Sequence, residues 1–176
     1  MIKGWLSGRK QRVVINGQFS NWRDVLSGVP QGSVLGPLLF VIYINDTDEL
    51  IGCNILKFAD DTKNFREIKS PQDIAQLQED LVNLAAWSTD WQMLFNVDKC
   101  KVMQMGYNNT CPEYFLNGTK MESVSEEKDL GVIVSDDLKW EKQCSQTVAE
   151  AHKVLGLIKR NFTDSSKETI IPLYKA

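Results

Sequence analysis

A chain of 176 residues, 43% apolar and 24% charged, has the material for a packed core and too much apolar content to be disordered over most of its length. A net charge of −3 and a pI near 5.2 exclude a wholly basic nucleic-acid binder. The charge is unevenly spread, however. Lys3, Arg9, Lys10, Arg12 and Arg23 precede the first acidic residue, Asp24, so residues 1–23 are either a surface that meets phosphates or an ordinary solvated basic face.

In chain order, Met1 to Leu6 reads as the end of a helix stopped by Ser7-Gly8. Arg12 to Ile15 is a strand candidate, Asn16-Gly17 a hairpin turn, and Phe19 to Val25 the return arm. Gly28 to Gly32 is a loop, and a helix follows from about Ser33 to Ile44. The apolar run Val34–Ile44 is too short to span a bilayer and reads as a buried helix. Ile51 to Arg66 forms a second hairpin, with Cys53 to Ala59 leading in, Asp60-Asp61 at the turn and Thr62 to Arg66 leading out.

The next helix carries the clearest signals. Ser70 is placed as N-cap, Pro71 at the first helical position and Asp73 in the first turn. Ile74, Leu77, Leu81 and Leu84 recur at spacings of 3, 4 and 3, and Trp87 and Trp91 extend that apolar face. Core packing is the expected role of both tryptophans, ahead of base stacking. Cys100 to Met105 is a strand, Gly106 to Thr110 a polar turn, Asn117-Gly118 another hairpin turn, and Leu130 to Val134 a further strand. A last helix from about Lys139 to Arg160 repeats Cys144, Val148, Ala151, Leu155 and Ile158, the pattern of ordinary amphipathic packing. The order of strands and helices lacks a strict βαβ alternation, which places the chain in the α+β class.

Cys53, Cys100, Cys111 and Cys144 show no C-x-x-C pairing, and no signal peptide precedes them. They are expected to be free thiols of an intracellular protein, cytoplasmic or nuclear and not secreted. The N-x-S/T matches at Asn45, Asn108, Asn117 and Asn161 are then coincidental. With a lone His152, a histidine triad or a zinc site has little to build on.

Two segments bear on chemistry. Successive strand side chains point to opposite faces, so Asp60 and Asp61 converge on one ion only at a turn. Two hard carboxylates there suit Mg²⁺ or Mn²⁺, which complete their shells with water and phosphate oxygens. Taken alone, an exposed Asp-Asp turn without metal is the commoner meaning of Phe58-Ala59-Asp60-Asp61. In Gly28-Val29-Pro30-Gln31-Gly32, the glycines permit close backbone approach and Gln31 offers both donor and acceptor. Taken alone, this too reads as a helix-entry loop.

Together and in this order, residues 27–46 (Ser-Gly-Val-Pro-Gln-Gly-Ser-Val-Leu-Gly-Pro-Leu-Leu-Phe-Val-Ile-Tyr-Ile-Asn-Asp) and Phe58-Ala59-Asp60-Asp61 resemble motifs B and C of non-LTR (LINE, jockey-like) reverse transcriptases. Asn96-Val97-Asp98-Lys99-Cys100-Lys101 falls where that family has motif D. Lys128-Asp129-Leu130-Gly131-Val132 is similar to its primer-grip hairpin. The resemblance implies a palm, an antiparallel sheet packed with helices, over 1–135 and the start of a helical thumb over 136–176. It implies that Asp60 and Asp61 bind catalytic Mg²⁺ or Mn²⁺ and that Lys99 lies near the leaving pyrophosphate. Gly28, Pro30, Gln31 and Gly32 would contact nucleotide and template, and Leu130, Gly131 and Val132 the primer end. The implied partners are an RNA template, a DNA primer and deoxynucleoside triphosphates, with no membrane.

The family's motif A aspartate and fingers have no counterpart in residues 1–176, so the resemblance is to an N-terminally truncated slice. An open strand edge, an uncovered apolar sheet face, weaker metal binding and negligible activity alone are the expected consequences. The alternatives are a non-catalytic retroelement remnant that still binds nucleic acid or protein and, far behind, an unrelated Mg²⁺ phosphohydrolase built on Asp60-Asp61.

Overall fold

The computed structural model describes residues 2–106, 110–162, 164 and 166–175, arranged in two compact units, Met1–Leu94 and Phe95–Ala176. The expected turn over Gly106–Thr110 lies largely outside the described residues, as do Met1 and the sequon residue Asn108. Helices and short strands mix in α+β fashion. The described strands form six two-stranded sheets, five antiparallel and one parallel, where antiparallel pairing was expected throughout.

The first unit begins with α1 (Ile2–Leu6), then β1 (Lys10–Gln11), β2 (Val14–Ile15), β3 (Gln18–Phe19) and β4 (Arg23–Asp24). β2 and β3 close on Asn16-Gly17 with φ of 49° and 77°, the two left-handed positions of a type I′ turn. The strand predicted over Arg12–Ile15 is interrupted instead of continuous, because β1 pairs with β4 in a different register from β2 with β3. α2 (Leu35–Tyr43) starts later than the spacing predicts and runs into a 3₁₀ turn, Asn45–Leu50.

β5 (Asn54–Phe58) pairs with β6 (Asp61–Phe65), with Phe58 opposite Asp61. The turn is therefore Ala59-Asp60, one residue earlier than predicted, and Asp61 is the first residue of β6. α3 (Pro71–Asp90) starts as expected: Asp73 Oδ2 accepts from the Ser70 N–H at 2.9 Å and from the Ser70 hydroxyl at 2.8 Å. The Ser70 hydroxyl first, and then the Lys69 N–H donating to the same oxygen at 3.1 Å, hold the Asp73 carboxyl below the usual carboxylate range.

Leu81, Leu84, Ala85 and Trp87 of α3 are buried with Ile44, and the tryptophan assignment to the core holds for Trp87 at 3% exposure. Its indole N–H donates to Asp46 Oδ1 at 3.2 Å. Trp91 stays part-exposed but meets Tyr43 edge-on, ring centroids 5.2 Å apart, and its carbonyl accepts the Tyr43 hydroxyl.

The second unit opens with a 3₁₀ turn, Val97–Lys99, and β7 (Lys101–Met103). β8 (Phe115–Leu116) and β9 (Thr119–Lys120) close on Asn117-Gly118, again a type I′ pattern with φ of 51° and 75°. β10 (Glu122–Val124) runs parallel to β7, and the Lys101 ammonium pairs with Glu122 at the register position opposite it. β11 (Glu126–Asp129) and β12 (Val132–Ser135) follow, then α4 (Glu141–Asn161) and α5 (Lys167–Lys175). The strand predicted over Leu130–Val134 is half turn, since Leu130 and Gly131 both have positive φ. Among its described residues, Tyr114, Leu116 and Ser135 are the buried ones.

α4 corrects an expectation. Its apolar stripe was predicted to pack, yet no described α4 residue is buried and Val148 is 55% exposed. Its attachment to β12 is polar: Gln143 Oε1 accepts the Ile133 N–H at 2.7 Å.

Candidate functional site

The Gly28–Gly32 loop is shaped from both sides. Gly28 and Gly32 have φ of 73° and 77°, a left-handed conformation that costs other residues roughly 1–2 kcal/mol. Space does not demand the glycines, since nothing lies within 4 Å of where a side chain would start. The Pro30 ring fixes its backbone φ, and its carbonyl accepts the Ser33 hydroxyl at 2.7 Å. Ser33 Oγ in turn accepts the Gly36 N–H at 3.0 Å, capping the first turn of α2. Gly36 is buried there because a Cβ would fall 2.8 Å from Ser33 Oγ and 3.3 Å from the Pro30 carbonyl. Gln31 is exposed at the loop's crest.

Arg9 anchors the other end of this loop. Its Nε donates to the Leu6 carbonyl at 2.8 Å, and its Nη2 donates to the carbonyls of Ser27 at 3.1 Å and Gly28 at 2.5 Å. Sequence reasoning left Arg9 in a segment that either meets phosphates or forms a solvated basic face; its guanidinium donates to backbone carbonyls.

The two aspartates sit at the tip of the β5–β6 hairpin, Asp60 in the turn and Asp61 heading β6, both exposed. Ala59 carries a φ of 52°, a strained position for a residue with a side chain. Lys57 ties this hairpin to the end of α2. Its ammonium donates to the Ile44 carbonyl at 2.9 Å and pairs with Asp48 at 2.5 Å. A cation at the last carbonyls of a helix is electrostatically favoured. The Gly28 loop at one end of α2 and the aspartate hairpin at the other thus belong to one unit.

Behind the hairpin lies a buried acid, Asp80, 1% exposed, on α3. Its Oδ1 accepts the Gly52 N–H at 2.8 Å and its Oδ2 lies 3.9 Å from Arg66. Burial, then the neighbouring Asp80 carboxylate, push the Cys53 thiol up to about 11. All four cysteines are free, as expected.

Lys99 is exposed on its 3₁₀ turn in the second unit, as is the Leu130-Gly131 turn, with Val132 opening β12. Sequence reasoning missed Arg9's anchoring role, Lys57 and Asp80. For Lys57 a signal existed: a lone cation set among Ile55, Leu56 and Phe58 in its strand.

Asp60 and Asp61 are exposed and consecutive in sequence, and carboxylate oxygens are the donors that a hard divalent ion takes beside its own water and phosphate ligands. No group of three or more His, Cys, Asp or Glu that would hold a metal occurs among the described residues. No helix among them is long and apolar enough to cross a membrane. The helix expected to be buried is not: Leu38, Val41 and Ile42 on α2 are each more than half exposed, and Leu56, Phe58 and Phe65 on the hairpin are at least half exposed too.

Residues 1–157 match the family described as reverse transcriptase (RNA-dependent DNA polymerase). The chain is 30% identical over 152 residues to an RNA-directed DNA polymerase from mobile element jockey of Drosophila melanogaster, covering 81% of this chain and 17% of that protein. It is 31% identical over 155 residues to the jockey polymerase of Drosophila funebris, with the same coverage of 81% and 17%. A probable RNA-directed DNA polymerase from transposon X-element of Drosophila melanogaster is 29% identical over 156 residues, 81% of this chain and 16% of that protein. The chain thus spans about a sixth of the length of these curated relatives. No solved structure matches it significantly.

Proposed function

The chain belongs to the reverse transcriptase (RNA-dependent DNA polymerase) family, and from that premise we propose that it forms the centre of a template-directed polymerase of a LINE-type retrotransposon. In the complete enzyme a DNA primer's 3′-hydroxyl attacks the α-phosphate of a deoxynucleoside triphosphate paired to an RNA template, and pyrophosphate leaves. Residues 1–135 would contribute to the palm and 136–176 the start of the thumb. The enzyme would work inside the cell, in cytoplasm or nucleus.

The observation that carries this reading is the joining of loop and hairpin through one helix. The positive-φ glycine loop is fastened to the start of α2 by Ser33, which joins Pro30 to Gly36, and the Asp60-Asp61 hairpin to its end by Lys57, while Arg9 holds the loop's first residues from outside α2. Asp60 and Asp61 would hold Mg²⁺ or Mn²⁺ together with a further carboxylate from outside these 176 residues. Such an ion, when bound, stabilises the charge on attacking and leaving oxygens during in-line displacement. Gln31 would hydrogen-bond the nascent base pair, while Gly28, Pro30 and Gly32 keep the backbone open to it. Lys99 would neutralise charge on the departing pyrophosphate. Leu130, Gly131 and Val132 would support the primer end. Positioning and charge neutralisation carry most of this chemistry, so the isolated chain should be close to inert.

The uncovered apolar faces of α2 and the hairpin support membership of a larger body. The test exchanges this chain for the matching segment of a jockey-type polymerase and measures primer extension on RNA. Incorporation that needs both Asp60 and Asp61 is expected. Intact hybrid binding without incorporation would favour a non-catalytic retroelement remnant.

A further inference from the structure

The hairpin preceding the Gly28 loop has a feature the polymerase reading does not use. Ser20 N–H donates to the Val13 carbonyl at 3.0 Å, which extends the β2–β3 register to a Val13–Ser20 pair. Gln11 lies opposite Arg23 in the β1–β4 register. Between them Arg12 faces two residues, Asn21 and Trp22, so the return arm carries one extra residue, a β-bulge. In a regular strand Phe19 and Trp22, three positions apart, point to opposite faces. The bulge reverses the alternation and turns both rings toward Arg12.

The result is a stack in water. The Arg12 guanidinium carbon lies 4.0 Å from the Phe19 ring centroid and 4.6 Å from that of Trp22. The two rings are 60% and 57% exposed, so neither serves a core. Cation–π contact with Arg12 holds them in place while leaving ring surface free. The segment that carries them is basic: residues 1–23 hold five cations and no acid, and all 23 acidic residues of the chain lie beyond Arg23. Lys10 pairs with Asp24 at 3.8 Å and Arg9 is committed to backbone carbonyls, which leaves Lys3, Arg12 and Arg23 as exposed cations.

We propose that the Arg12–Phe19–Trp22 stack is a platform for unpaired bases of single-stranded nucleic acid, with the surrounding cations meeting its phosphates. Exposed aromatic faces beside basic residues suit a strand whose bases are free to stack. A duplex offers only phosphates to such a surface, its bases being already stacked. The inference rests on the polymerase reading and adds the segment that would hold an unpaired stretch of its template.

The test is fluorescence anisotropy with the 176-residue chain, a labelled oligouridylate and an RNA duplex of equal length, in EDTA and without nucleotides. The single strand should bind more tightly than the duplex. Trp22→Ala and Phe19→Ala should each weaken it about tenfold. Arg12→Gln should weaken it and flatten its salt dependence. Equal binding by these variants, or of strand and duplex, would overturn the platform. Photocross-linking of the unsubstituted chain to 5-iodouridine RNA avoids any question of variant folding. Adducts on Phe19 or Trp22 are expected, and adducts confined elsewhere would refute the proposal. Polymerase failure with strand binding intact would sink only the catalytic reading, because this assay contains no metal or nucleotide.

Discussion

Replacing Arg9 tests whether the Gly28 loop is held by a guanidinium fork or merely by a nearby positive charge. Three backbone carbonyls, of Leu6, Ser27 and Gly28, accept from two of its nitrogens. A charge-assisted hydrogen bond is worth roughly 1.5–3 kcal/mol when protected, and much less where solvent competes. Two of these three bonds are exposed, so their joint contribution is about 1–2 kcal/mol, or roughly a 5- to 30-fold shift in the fraction of open loop. Arg9→Ala should speed amide hydrogen exchange across residues 27–33 by that factor. Lysine cannot present donors in two directions in one plane, so Arg9→Lys should resemble Arg9→Ala. Exchange rates in Arg9→Lys equal to those of the unsubstituted chain would refute the fork and leave charge alone as the cause.

Three further outcomes are expected. Leu84, 2% exposed, should cost about 2–5 kcal/mol when cut to alanine, read from urea unfolding; a loss under about 1 kcal/mol would mean that α3 is not the core of the first unit. Gly36→Ala should cost about 1–3 kcal/mol, because its Cβ would displace the Ser33 hydroxyl that caps α2; stabilisation instead would show that the cap is dispensable. Cys53 holds its proton up to about 11 against an ordinary 9.0, so between those values the unfolded chain releases it first and stability falls as pH rises. Cys53→Ala should remove that slope, and alkylation mapped by mass spectrometry should find Cys53 slower than the exposed Cys111 and Cys144.

What was legible in the chain was mostly local. Asn16-Gly17 and Asn117-Gly118 announce their turns because asparagine and glycine tolerate positive φ, and both form as read. Leu130-Gly131 forms the same kind of turn but hides it, since leucine at a φ of 47° is no turn signal. The Ser70-Pro71-Asp73 start of α3 and its apolar spacing are equally local, and both hold. The stripe on α4 shows why periodicity has limits: it tells which face is apolar and not whether anything covers it. The parallel β7–β10 pair and the helix α5, which contains Pro172, depend on long-range pairing and context that spacing does not carry.

At the site, the aspartate hairpin was legible to within one residue, and the glycine loop was legible as a loop. The roles of Arg9, Lys57 and Asp80 were not, because each is defined by a partner distant in sequence or by burial. A basic residue in a basic segment looks like a phosphate contact until its acceptors are known.

The most direct measurement is primer extension on an RNA template by a jockey-type polymerase carrying this chain in place of its own matching segment. It is run with Mg²⁺ and deoxynucleotides, alongside the Asp60→Ala and Asp61→Ala versions and with folding of each checked by circular dichroism. The account predicts templated incorporation that falls to background with either substitution. Incorporation that survives both substitutions would contradict it, since the hairpin tip would then have no part in the chemistry.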